Sequence, residues 1–187
     1  MLAPALLPPV AALRRGFELA PEAALETTVA VARSRASAEA AGLQLRQGFR
    51  VGPLPLMIGY ADGSELTEMP AVYRLPHAPD WLLGMANLHG MLVPVFDLTR
   101  HFGIPREAPA KPMLLVLAHG NDAAGISIDG LPERLRWDTS HVADPATVPD
   151  VLAPVVQRPV LIGETLWFDI DCSALLARLE QALVARH

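Results

Sequence analysis

His89, Asp97 and Cys172 are the side chains whose types could carry nucleophilic or acid–base chemistry, together with the nearby pair His77 and Asp80. An imidazole beside a carboxylate makes a general-base unit, and a cysteine becomes a nucleophile once its surroundings favour the thiolate. Each has a plainer reading. Cys172 joins an apolar run to an amphipathic stretch, where small cysteines are commonly buried. Asp97 precedes Leu98-Thr99-Arg100-His101-Phe102-Gly103, one or two helical turns closed by a glycine, and reads as an N-cap. The six histidines show no i, i+4 or H-x-H spacing, so no metal site is expected. The sequence has no phosphate loop, dinucleotide fingerprint or G-x-S-x-G elbow, and no cofactor is implied. A small hydrolase or transferase using Asp97 with His89 stands as the alternative to a pure binding function, without a nucleophile or an anion hole to complete it.

Composition narrows the classes further. A chain of 187 residues that is 51% hydrophobic and 19% charged suits one globular domain, or two small lobes, with a sizeable core. The formal net charge of −5, the 5% of aromatic residues and the lack of a Lys/Arg cluster argue against nucleic acid as a partner. A single cysteine permits no intrachain disulfide and points to a reducing, cytoplasmic compartment. The apolar start, Met1 to Val10, carries no leading positive charge and is broken by Pro4, Pro8 and Pro9. It reads as a tail rather than a membrane span.

The elements that must position these residues follow from periodicity and punctuation. Residues 21–41, rich in Ala, Glu and Arg between Pro21 and Gly42, predict a helix with a stripe of small side chains. Phe49–Gly52 and Leu54–Gly59 read as two strands around a Gly-Pro turn. In the stretch from Trp81 to Leu98, Asn87 and His89 alternate with Leu88, so an extended segment would turn both polar side chains outward and Leu88 inward. Pro94 places the following strand at a sheet edge or a bulge. Met113–Ala118 and Ala123–Gly130 form a hairpin, with Asp129-Gly130 as a turn and a bend expected at Pro132. Residues 141–154 read as loop. Val155–Ile162 and Leu166–Ile170 form a last hairpin around Gly163-Glu164-Thr165, and either Asp171 or Ser173 caps a closing helix. Short strands without βαβ alternation predict a mainly β barrel or sandwich with helical appendages.

Gly84-x-x-Asn87-Leu88-x-Gly90-x-x-x-Pro94-Val95-x-Asp97-Leu98, with Leu75-Pro76 and Pro79-x-Trp81 upstream, resembles the core signature of the CheW-like domain, the adaptor fold of bacterial chemosensory arrays. The resemblance runs from about Phe49 to near the C-terminus. It implies two interlocked, five-stranded SH3-like β-barrels with a C-terminal helix, over residues 47–187, behind a helical N-terminal extension over 1–46. It also implies a non-catalytic scaffold joining the cytoplasmic tips of chemoreceptors (methyl-accepting chemotaxis proteins) to the regulatory domain of a CheA-type histidine kinase, without membrane insertion. The N-terminal extension is reminiscent of PilI-type adaptors of type IV pilus twitching systems. His89 stands where the family usually has arginine, and Glu65 stands at its acidic partner. By the same matching Leu114 and Leu131 fall at an apolar groove for partners, with Asn87 and Gly90 beside it. Gly84, Pro94, Asp97, Gly125 and Asp129 shape the scaffold beneath.

Overall fold

The computed structural model describes residues 42–105 and 111–185. The chain divides into two units, Met1–Leu43 and Gln44–His187. The helix expected over residues 21–41 lies outside the described residues.

Ten strands follow in order: β1 (Gln44–Val51), β2 (Leu54–Ile58), β3 (Gly63–Glu68), β4 (Val72–Tyr73), β5 (Leu82–Leu88), β6 (Met91–Phe96), β7 (Pro112–Leu117), β8 (Ala124–Trp137), β9 (Val156–Ile162) and β10 (Thr165–Ile170). A short helix, α1 (Leu98–Phe102), follows β6, and α2 (Cys172–Val184) closes the described chain. The long strand β8 belongs to two lobes. Its first half pairs antiparallel with β7 and parallel with β6, and β3 and β5 complete that lobe, with β4 on the edge of β5. Its second half pairs with β1, which leads through β2 and β10 to β9. This is the mainly β architecture expected, two interlocked five-stranded barrels with a C-terminal helix.

The turns are set by local chemistry. Gly52 (φ 60°) and Gly163 (φ 60°) supply left-handed residues between β1 and β2 and between β9 and β10. Asp171 caps α2 by accepting from the Ala174 N–H. Pro132 does not end β8, which runs through it. The ladder with β1 slips between the Gly48–Glu133 and Arg50–Asp129 pairs, and the proline sits inside that bulge. The turn expected at Asp129-Gly130 is likewise replaced by a continuous strand in which Gly130 adopts φ 74°.

Three clusters of buried side chains result. Ala86, Leu88, Val93, Val95, Leu114, Val116 and Ala123 fill the first lobe. Met57, Leu135, Trp137, Val160 and Trp167 fill the second. The largest lies between them, where Leu56, Ile58, Leu115, Ile126, Ile128 and Phe168 meet Leu175 and Leu179 of α2. Alternation along β7 serves two cores at once, Met113, Leu115 and Leu117 facing one and Leu114 and Val116 the other. Strands covered on both faces read as continuous apolar runs.

Candidate functional site

The hairpin β5–β6 turns at His89-Gly90, with Leu88 paired to Met91. His89 takes φ 51° and Gly90 φ 89°, the two successive left-handed residues of a type I′ turn, the form whose twist matches the flanking strands. The Asn87 Oδ1 accepts from the Gly90 N–H at 2.9 Å and fixes the turn. Asn87 is exposed and Leu88 buried, as alternation predicts. His89, however, is not on the extended segment; hairpin closure places it at the tip. From there its Nε2 lies 3.0 Å from the Glu65 Oε1 on β3, with the imidazole side chain 77% exposed and the carboxylate 35%. No ladder joins β3 to β4, β5 or β6. The Glu65–His89 contact therefore spans a seam of the first lobe that backbone hydrogen bonds do not close.

The scaffold residues behave as local rules require. Asp97 is buried; its Oδ1 accepts from the Thr99 N–H and Oγ1–H and from the Arg100 N–H. Its Oδ2 lies 3.5 Å from the Arg100 Nε. Gly103 ends α1 at φ 66°. β6 lies between β5 and β8 rather than at a sheet edge. Pro94 is tolerated because, counted from the closing Leu88–Met91 pair, it faces Met85 in a pair whose N–H positions point away from the partner strand, and the parallel ladder with β8 begins only at Val95. Gly84 adopts φ 141°, and a Cβ there would lie 2.2 Å from the Tyr73 carbonyl oxygen, so β4 can dock only against glycine. A Cβ on Gly125 would lie 2.6 Å from the Leu114 Cδ1. Asp129 accepts from the Gly52 N–H at 2.7 Å and so ties the β1–β2 turn to β8.

The two leucines expected at one groove part company. Leu131 is 75% exposed at the bulge in β8, whereas Leu114 is 0% exposed inside the first lobe. Leu114 is plain core, a correction that follows from β7 being covered on both faces.

Acid–base chemistry finds little to work with. His89 is paired with Glu65 rather than Asp97, and Asp97 is committed to its cap. Burial, with the Asp62, Asp171 and Asp169 carboxylates nearby, pushes the Cys172 thiol up to about 12, the opposite of an activated nucleophile. His101 is held below the ordinary histidine value, first by burial and then by the Arg178 cation. Its ring packs edge-on against Trp81 and Phe102. Among the described residues no group of three or more His, Cys, Asp or Glu is placed to hold a metal ion. No helix among them is long and apolar enough to cross a membrane.

One charged cluster escapes the sequence reading. Asp169, 1% exposed, receives the Arg46 Nε at 2.8 Å and Nη2 at 3.3 Å. The Arg158 Nε lies 3.6 Å from the same carboxylate. Both guanidiniums lie over the Trp137 ring, at 5.9 Å and 5.4 Å. The available signal was the period of two in Leu166–Ile170, which puts Asp169 on the Trp167 side and so inside a barrel.

The profile of the CheW-like domain matches residues 47–180. The chemotaxis protein CheW of Helicobacter pylori is 32% identical over 107 residues, covering 57% of this chain and 63% of that protein. The protein PilI of Pseudomonas aeruginosa is 30% identical over 83 residues, covering 44% of this chain and 47% of that one. The chain thus spans less than two thirds of either relative. The crystal structure of the scaffolding protein TtCheW from Thermoanaerobacter tengcongensis shares the fold with a TM-score of 0.61 at 20% identity, over 68% of this chain and 88% of that one.

Proposed function

The chain belongs to the CheW-like domain family, and from that premise we propose that it is a non-catalytic adaptor coupling chemoreceptor cytoplasmic tips to the regulatory domain of a CheA-type histidine kinase. It would act in the cytoplasm and reach the membrane only through those partners. The relatives' names, chemotaxis protein and scaffolding protein, support the adaptor class, and the similarity to PilI supports a type IV pilus output beside a flagellar one. The observation that carries the reading is the Glu65–His89 pair at the open seam of the first lobe. The pair lies at the surface, with the imidazole 77% exposed, and even fully charged surface pairs contribute only about 0–1 kcal/mol to folding. Its residues are therefore free to serve a contact rather than stability. Asn87 and Gly90 hold the turn that presents it, and Leu131 supplies an exposed apolar side chain on β8.

The test is capture of a receptor cytoplasmic-tip fragment and of the kinase regulatory domain by the full chain. Glu65→Lys, His89→Ala and Leu131→Asp should each weaken capture of at least one partner by about tenfold, which is about 1.4 kcal/mol, with unchanged thermal melting. Undiminished capture by all three variants would remove these residues from the interface. No capture at all, with hydrolysis that disappears in His89→Ala and Asp97→Ala, would establish the enzyme reading instead.

A further inference from the structure

The sheet of β4, β5 and β6 turns one face inward to the first lobe and leaves the other only partly covered. Register defines the outer face: Tyr73 lies opposite Met85, Met85 opposite Pro94, Asn87 opposite Leu92, and Leu82 opposite Phe96. At one end Leu82 and Phe96 are buried, and Leu179 and Leu183 of α2 belong to the same core. At the other end Tyr73 is 67% exposed and Leu92 68%, and the polar groups in the rows are the Asn87 amide and the Tyr73 hydroxyl. Three strands about 4.8 Å apart make a strip about 10 Å wide, the width of one helix. Through Pro94 the strip opens into a groove of about 470 Å³ between β6, α2 and the 120–122 turn, with Phe96, Leu176 and Leu183 in its walls. Asp122 and Glu180 stand at the same groove, both exposed, and neither takes part in an ion pair among the described residues.

We propose that this face docks an amphipathic helix of a partner protein, apolar toward Tyr73, Met85, Leu92 and Pro94 and bearing Lys or Arg over Asp122 and Glu180. A strand is the wrong occupant, because β5 is already paired with β4 and β6, and β6 with β5 and β8. Of these three strands only β4 keeps an open edge, and its two residues are too few to template an added strand, so the face is covered by side chains, as a helix in a groove does. Two exposed carboxylates beside an apolar floor select the charge of the occupant. The surface is distinct from the Glu65–His89 seam, and the proposal does not depend on the adaptor reading.

The probe is a synthetic helical peptide of about 18 residues, long enough for five turns, with leucines at i, i+3, i+4 and i+7 and lysines on one flank. A second peptide carries glutamates in place of the lysines. Fluorescence anisotropy with the full chain should show the leucine/lysine peptide binding in preference to the leucine/glutamate one. Leu92→Glu should weaken it by about tenfold or more, and the double variant Asp122→Lys/Glu180→Lys should reverse the preference between peptides. Both variants change exposed side chains, so their melting should match the parent chain. Equal binding of the two peptides, or binding that survives both variants, overturns the proposal. Sedimentation showing a dimer that Leu92→Glu dissociates, with neither peptide bound, also overturns it and makes a second copy the occupant.

Discussion

Leu114 and Leu131 carry the same expectation in the sequence and opposite environments in the fold. Leu114→Ala empties space inside the first lobe and should lower stability by about 2–5 kcal/mol. Leu131→Ala removes an exposed side chain and should change stability by no more than about 0.5 kcal/mol. Urea denaturation of the two variants checks this, and equal losses would contradict the burial difference. His101 gives a pH-dependent counterpart. Its Nδ1 is buried without a hydrogen-bond partner, its ring lies between Trp81 and Phe102, and Arg178 is the charged group that bears on it. The folded state holds this histidine below 6.5, so the unfolded chain binds its proton first as the pH falls. The neutral imidazole's contribution is fully present above pH 6.5 and is lost as the pH drops from 6.5 through the lower folded value. His101→Phe should abolish that part of the acid loss, measured as the difference between the two stability–pH curves; parallel curves would show that the histidine is not responsible.

Among the elements, the β5–β6 hairpin depends on two glycines for different reasons. Gly90 adopts φ 89° with nothing within 4 Å of a built Cβ, so Gly90→Ala meets only backbone strain, about 1–2 kcal/mol. Gly84 combines φ 141° with a Cβ position 2.2 Å from the Tyr73 carbonyl. Gly84→Ala must therefore also push β4 off β5 and disrupt the Val72–Ala86 and Tyr73–Met85 pairing. Its loss of stability should exceed that of Gly90→Ala, with amide exchange accelerated in residues 72–73 and 85–86. A smaller loss in Gly84→Ala, or unchanged exchange there, would count against this account of β4 docking.

For the whole molecule, the second lobe rests on a charge placed inside a barrel. Asp169 links β10 to Arg46 on β1 and lies beside Arg158 on β9, so one carboxylate ties three strands around Trp137. Such a pair is held by geometry rather than by a large net gain, because desolvation offsets much of the attraction. Removing one partner is the costly change. Asp169→Asn should destabilise by about 1–3 kcal/mol, because Arg46 and Arg158 keep partial access to water once the carboxylate is gone. Asp169→Leu with Arg46→Met should recover much of that loss by substituting apolar packing. Calorimetry of the single and double variants measures both, and a double variant as unstable as the single would show that the lobe needs the charges themselves.

The sequence by itself determined what short-range physics controls. The N-caps at Asp97 and Asp171, the glycine turns at Gly52 and Gly163 and the hairpin strands β9 and β10 are all written in neighbouring residues. The family motif, matched position by position, also brought Glu65 and His89 together although 24 residues separate them. Only the tertiary structure decided what depends on which faces are covered. Met113 to Leu117 is a continuous apolar run because two different cores take its two sides, and no periodicity remains to tell Leu114 from an exposed groove residue. The parallel contacts of β6 with β8 and of β2 with β10, the bulge that carries β8 through Pro132, and the 123-residue reach from Arg46 to Asp169 are likewise absent from any local pattern. They arise because one long strand is shared between two barrels, and sharing is a property of the closed sheet rather than of any segment within it.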